Sequence, residues 1–222
     1  MKRVVFLLAV IALAGCATST PRPEPIATSV MVPETEAPVI GTEPDTPAAT
    51  EVAAVSTLPP AFEGECVVTP ADGEGPFYLA GAPIRDAFSS LVTSGMAGDR
   101  LNLSGVVYLE GCQTVLAGAV VEIWQVDAQG NYDLSGYTLR GGVRTDSNGA
   151  YAIETILPPS YGGRPQHIHY KVIADGRPAF TSQIYFTGDT RAAGFPTSML
   201  INPVPADGGG FAAIFNIVLA GQ

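Results

Sequence analysis

From Cys66 to the C-terminus the chain is a succession of short apolar runs broken by turn residues, and that pattern suits sheets rather than packed helices. Residues 103–109, 119–126, 150–156, 167–173, 182–186 and 211–219 are rich in Val, Ile, Tyr and Phe, whose side chains fit a pleated surface. Gly (25) and Pro (19) supply the breaks and argue against a helical bundle. Asp146-Ser147-Asn148-Gly149 predicts a hairpin turn, because Asn-Gly accepts positive φ. The expected fold is all-β, an antiparallel β-sandwich or barrel with minor helix, one turn of it near residues 86–92. With 46% apolar and 14% charged residues, the domain has enough material for a sizeable core.

The first part of the chain reads differently. Lys2 and Arg3 precede an apolar run over 4–13, too short for a comfortable transmembrane helix, which ends in Leu13-Ala14-Gly15-Cys16. This resembles the lipobox of bacterial lipoproteins: residues 1–15 are then a signal peptide and Cys16 carries the lipid. The alternatives are an ordinary signal peptide cut near Ala17 and a plain membrane anchor. Residues 16–61 follow as a Pro, Thr, Ala and Glu-rich tether, with Pro at 21, 23, 25, 33, 38, 44, 47, 59 and 60. Such a segment lacks the apolar content to offset its ordering entropy and is expected to be disordered, reaching on the order of 100 Å if extended. The folded domain is expected over 62–222. The localisation that follows is exported, extracytoplasmic and membrane-anchored, with the choice of membrane and the oligomeric state left open.

Charge and cysteines narrow the function. A formal net charge of −10 repels phosphate backbones and excludes nucleic acid as a sensible partner. None of Cys16, Cys66 and Cys112 belongs to a C-x-x-C, so a zinc knuckle has no support. Cys66 and Cys112 are the pair left in an exported domain, and a disulfide between them is the economical reading.

The only two histidines occupy one tripeptide, His167-Ile168-His169. On a strand, residues i and i+2 share a face, so both imidazoles can reach one metal while Ile168 faces the core. By itself such a pair is more often exposed or hydrogen-bonded than metal-ligating. Around it stand Pro158-Pro159-Ser160-Tyr161-Gly162-Gly163-Arg164-Pro165, Glu122-Ile123-Trp124, Gly130-Asn131-Tyr132 and Gln183-Ile184-Tyr185-Phe186. Gly75-Pro76-Phe77-Tyr78 and the stretch from Arg144 to Tyr151 complete the set.

Taken in chain order, over roughly residues 66–190, these blocks resemble the intradiol ring-cleavage dioxygenases, the family of protocatechuate 3,4-dioxygenase and catechol 1,2-dioxygenase. The resemblance implies one ferric ion, Fe(III), bound by the phenolates of Tyr132 and Tyr161 and the imidazoles of His167 and His169. It implies a catechol opened by O2 between its two hydroxyls to a cis,cis-muconate-type diacid. Tyr161 would take up a substrate proton, Arg164 would stabilise developing negative charge, and the amide of Gln183 would support them. Two hard anionic oxygens suit Fe(III), whereas two histidines and a carboxylate suit Fe(II). Trp124 reads as core, Pro76 and Tyr78 as pocket lining or packing, and Tyr185 alternates with Gln183 onto the same strand face.

Two departures from the family pattern stand out. Tyr161 and His167 are six positions apart, where the well-known enzymes carry a longer insertion, so substrate identity does not transfer. The helical N-terminal dimerisation segment of catechol 1,2-dioxygenases is missing. An exported, non-catalytic β-sandwich binding module therefore stays open as the alternative. A zinc or copper binder built on His167 and His169 lacks a carboxylate or thiolate beside the pair.

Overall fold

The computed structural model describes residue 62, residues 64–86 and residues 88–221. The expected signal peptide (1–15), the lipidated Cys16 and the tether (16–61) lie outside the described residues. The described chain forms β1 (Ile84–Asp86), β2 (Phe88–Ser90), β3 (Arg100–Leu109), β4 (Val120–Trp124), β5 (Arg140–Arg144) and β6 (Ala150–Ile156). After these come β7 (His167–Ile173), β8 (Phe180–Phe186), β9 (Leu200–Ile201), β10 (Val204–Pro205), β11 (Phe211–Ile214) and β12 (Ile217–Leu219). Short 3-10 turns at Thr190–Ala192 and Thr197–Met199 are the helical elements among the described residues.

Two sheets build the sandwich that the apolar runs predict. The first is ordered β1-β5-β4-β7-β8-β9 and the second β10-β11-β3-β6-β2, with β12 also against β3. Between them lies one core, drawn from alternate positions: Val121 and Ile123 of β4, Ile168, Tyr170 and Val172 of β7, Leu101 and Leu103 of β3, Tyr151 and Ile153 of β6. Burying each such side chain contributes roughly 1.5–3 kcal/mol, which makes the alternation of β7 the main reason its register is fixed.

The central pairs β3–β6, β4–β5, β4–β7 and β7–β8 are antiparallel, as expected, but the flanks are not. Strands β1, β2, β9, β11 and β12 join the sheets in parallel, so both sheets are mixed. These are short strands brought in by long connections, which impose no reversal of direction.

Three local expectations are corrected. The described residues of 86–92 carry no helical turn, because β5 and β6 offer open backbone edges that take up β1 and β2. Ser89 is buried between exposed Phe88 and Ser90, the alternation of a strand. The turn at 146–149 forms as expected: Asp146 Oδ1 accepts from the backbone N–H of Asn148 and Ala150, both at 2.8 Å, and Gly149 has φ 70°. It does not close a hairpin, since β5 belongs to the first sheet and β6 to the second. Turn chemistry fixes where the chain reverses and leaves the strand partner to the core. Finally, 211–219 is two strands, interrupted at Phe215 and Asn216.

Cys66 and Cys112 are disulfide-bonded, with Cα atoms 6.0 Å apart and a sequence separation of 46. Closing a loop of that length contributes about 4 kcal/mol on the chain-entropy argument. Just past the bridge, Thr69 N–H donates to Val218 O (2.9 Å) and Val218 N–H to Thr69 Oγ1 (3.0 Å). From this anchor residues 72–78 run as a strap over the outer face of the first sheet, where the candidate site lies.

Candidate metal centre

Strand register assembles the floor of the site. Arg140, Trp124, His169 and Gln183 are successive partners across β5, β4, β7 and β8, so their side chains form one row on the outer face. His167 and Tyr185 form a parallel row beside it. Ile168, between the two histidines, points into the core. The predicted division of the tripeptide between two faces is what the strand does.

Loops bring the phenols over this floor. Tyr132 follows a turn after β4, in which Asp127 Oδ1 accepts from the N–H of Gln129 and Asn131, both at 2.9 Å. Gly130 (φ 84°) lies so close to the next loop that a Cβ there would stand 3.2 Å from Tyr161 Cβ. Tyr161 begins a tight turn, closed by Arg164 N–H donating to Tyr161 O (2.8 Å), with Gly162 and Gly163 both at positive φ. Asp189 holds the ends of the loop: Oδ2 accepts from Ser160 Oγ (2.9 Å) and from Gln166 N–H (2.8 Å). Arg191 pairs with the same carboxylate at 2.9 Å, and these donors keep its pKa well below the usual carboxylate range.

Tyr132, Tyr161 and His167 thereby meet at their polar tips, with the His169 ring beside them. Tyr132 Oη and Tyr161 Oη are 2.9 Å apart, and Tyr161 Oη is 3.1 Å from His167 Nε2. The His169 ring centroid is 5.0 Å from that of His167 and 6.2 Å from that of Tyr132. His167 Nδ1 donates to Pro165 O (2.7 Å), which leaves Nε2 as a lone-pair acceptor for the Tyr161 hydroxyl. The Tyr161 hydrogen is then committed, so Tyr132 donates to Tyr161.

Burial shapes the protonation states. Both histidines are 1% exposed. Desolvation lowers the pKa of His167, and desolvation with the charges of His167 and Arg164 pushes His169 down to about 3, against a small opposing pull from the Gly73 carbonyl. Both imidazoles are neutral at pH 7, the form that binds metals. The Tyr132 phenol is pushed well above 10 by burial and by its bond to Tyr161, while Arg164 and Arg140 pull the other way. A bound cation reverses that balance, because it favours the phenolate directly.

The spacing suits a shared ion. Two donors about 2.0–2.1 Å from one metal and at right angles about it stand roughly 2.8–3.0 Å apart. The two contacts at 2.9 and 3.1 Å match that separation. Among the described residues no three His, Cys, Asp or Glu side chains gather as a metal-binding group. An ion here would accordingly rely on the phenol oxygens.

Several neighbours were not legible beforehand. Trp124 is core, as expected, yet one face stacks on His169 at 5.1 Å and 9°. Phe77 of the strap stacks on Tyr132 at 4.5 Å and 26°. Arg140, 2% exposed, donates to Phe77 O (2.6 Å) and Asp133 O (2.9 Å) with its guanidinium 5.6 Å from the Tyr132 ring centroid. Tyr78 packs edge-on to Trp124 at 4.9 Å and donates to Glu122 at 3.2 Å. Lys171 pairs with Glu74 at 2.5 Å and lies 3.5 Å over the Tyr78 ring. Arg164 Nη2 donates to Gln183 Oε1 at 2.7 Å, so the two expected supporting residues meet. Arg140 and Asp72 carried no sequence signal, because the side chain or carbonyl each meets at the site is remote in the chain, Phe77 for Arg140 and Tyr185 for Asp72.

Comparison with known proteins gives a consistent picture. A family model described as Dioxygenase matches residues 73–198. A catechol 1,2-dioxygenase of Acinetobacter lwoffii is 34% identical over 144 residues, covering 54% of this chain and 52% of the relative. The chain spans about half the length of the curated relatives it matches. Among solved structures, the dioxygenase domain of a dioxygenase carbohydrate-binding protein fusion from Streptomyces sp. SirexAA-E has a TM-score of 0.65 at 38% identity, covering 70% of this chain and 100% of that one. Catechol 1,2-dioxygenase from Acinetobacter sp. ADP1 has a TM-score of 0.62 at 28% identity, covering 68% and 62%.

Proposed function

Because the chain belongs to the intradiol ring-cleavage dioxygenase family, we propose that it uses O2 to open catechol-type rings between the two hydroxyls, at one ferric ion held by Tyr132, Tyr161, His167 and His169. The observation that carries this reading is the meeting of two phenol oxygens and the His167 imidazole at hydrogen-bond distance, with the His169 imidazole beside them. A ferric ion held there would supply Lewis acidity that activates a catechol ring toward O2. The catechol substrate class follows the names of the relatives.

The chain's own groups do the rest. Tyr161 Oη, on a turn with two flexible glycines, is the phenol placed to leave and take the substrate's proton. Tyr132 is stacked on Phe77, itself tied to the Arg140 guanidinium, and stays in place. Arg164 holds a permanent positive charge beside the ring, where negative charge develops as O2 attacks. Phe77 and the strap backbone at Gly75 cover Tyr132 and His169 and limit water there: a Cβ at Gly75 would stand 3.2 Å from His169 Cε1. The product class is a cis,cis-muconate-type diacid.

The soluble domain, purified with its metal, is expected to be red-brown from tyrosinate-to-iron charge transfer. Anaerobic addition of catechol should shift the visible band, and admission of oxygen should convert the catechol to the diacid. A colourless, iron-free domain that stays inactive after ferric reconstitution overturns the enzyme reading and leaves an exported binding module.

Export and lipidation at Cys16 belong to the same proposal. The Cys66–Cys112 bond supports them, since such bridges persist in oxidising compartments. Cys16→Ser in the full chain should move the protein from the membrane to the soluble fraction. An unchanged distribution would remove the anchor from the proposal.

A further inference from the structure

The guanidinium of Arg164 has to be aimed, and its aim is set by a side-chain chain that ends on the strap. Arg164 Nη2 donates to Gln183 Oε1 at 2.7 Å. The Gln183 amide cannot turn over, because its Nε2 donates to Gly73 O at 2.9 Å and a carbonyl accepts only from the nitrogen end. Beside it stands the Tyr185 phenol, 1% exposed and stacked on Phe195 at 3.9 Å. Tyr185 Oη is 2.7 Å from Asp72 Oδ2 and 3.2 Å from Gln183 Oε1, and it has one hydrogen to give.

The shorter contact, to a carboxylate, is the stronger. Asp72 takes that hydrogen, so it points away from Gln183, and Gln183 Oε1 keeps its capacity for Arg164. Arg164 also bears on the Tyr185 oxygen, whose lone pairs then face the guanidinium. Asp72 is itself fixed to the sheet through its N–H on Thr181 O (3.2 Å), and its Oδ1 takes the Gly73 N–H (2.6 Å).

We propose that Asp72 and Tyr185 are positioning residues for the reaction, Asp72 orienting the Tyr185 hydroxyl so that Tyr185 and Gln183 together aim the Arg164 guanidinium at the substrate. This rests on the enzyme reading above. Without Asp72, the Tyr185 hydrogen turns to Gln183 Oε1 and competes with Arg164 for it. Without the Tyr185 hydroxyl, there is no competitor for Asp72 to restrain. The two positions are therefore coupled, and the loss of Asp72 does harm only through Tyr185.

The test is a double-mutant cycle on Asp72→Ala, Tyr185→Phe and the pair, read in two ways. In the metal-loaded enzyme, kcat is expected to fall about tenfold in Asp72→Ala and about threefold in Tyr185→Phe, with KM little changed, since the groups act on developing charge. The pair should be no slower than Tyr185→Phe, and the resting visible band should be unchanged throughout because the four ligands are untouched. In the metal-free domain, each single change should lower the melting temperature by about 3 °C and the pair by no more than the worse single. Additive losses in kcat and in melting temperature overturn the proposal, as does a tenfold rise in KM at constant kcat. If the wild-type protein binds no iron and turns over no catechol, the enzyme reading fails instead, and the metal-free cycle still decides whether the two side chains are coupled.

Discussion

His169→Ala is expected to abolish ring cleavage and bleach the protein while leaving the sandwich folded. The imidazole is held between the Trp124 ring at 5.1 Å and the strap backbone at Gly75, and it is 1% exposed. Truncation removes one of four donors and opens a gap that water can enter. Supporting contacts around a metal are worth about 10–100-fold, so a donor itself should be worth on the order of 10³-fold or more in turnover, with iron content falling in parallel. The core face of β7 is unchanged, because Ile168 and Tyr170 keep their places, so the far-ultraviolet circular dichroism should match that of the parent. Tyr132→Phe is the informative companion. It preserves the stacking on Phe77 and deletes only Oη, so it should shift or remove the visible band without loosening the fold. A His169→Ala protein that keeps both its colour and its turnover would falsify the four-ligand assignment.

The second large effect concerns folding. Gly105 lies inside β3, opposite Tyr151 of β6 and beside the break between β11 and β12. There the chain crosses β3 closely enough that a Cβ on Gly105 would stand 1.9 Å from Phe215 O and 2.7 Å from Phe215 C. The carbonyl has nowhere to go, since Tyr151 Oη donates to it at 2.6 Å and Phe215 N–H is tied to Ser104 O at 2.8 Å. Asn216 Oδ1 next door accepts from Val106 N–H at 3.0 Å. Gly105→Ala must separate β12 from β3 or break the buried Tyr151 bond, and is expected to cost about 4 kcal/mol or more. For a domain of this size that lowers the melting temperature by roughly 10 °C or more. Gly188→Ala is the control: nothing lies within 4 Å of its added Cβ, and its effect should stay within about 0.5 kcal/mol. A Gly105→Ala domain that melts with the parent would mean that β12 and β3 are not packed as described.

The two predictions draw on different layers of the molecule. The histidine pair was conspicuous because the residues are two positions apart and the chain has no others. Nothing local marks Gly105 within its apolar run, because the backbone that crowds it comes from Phe215, far along the chain. The same contrast separates Arg164 and Gln183 from Asp72. The first two stand within recognisable blocks. Asp72 acts on Tyr185 from 113 positions away, and nothing local marks it.

By itself the sequence determined the class of fold and the alternation that sends Ile168 inward and both histidines outward, and it pointed to the four side chains proposed as metal donors. Those are properties of short stretches, where period and residue chemistry suffice. Tertiary structure decided which strands run parallel at the flanks, why the 146–149 turn joins two sheets, and how the strap closes over the site. It alone set the row Arg140, Trp124, His169, Gln183, because that row exists only once four strands are in register. Local propensity fixes how each segment is shaped; which segments meet is settled by the apolar surface they bury together and by the hydrogen bonds they can satisfy only in one another's company.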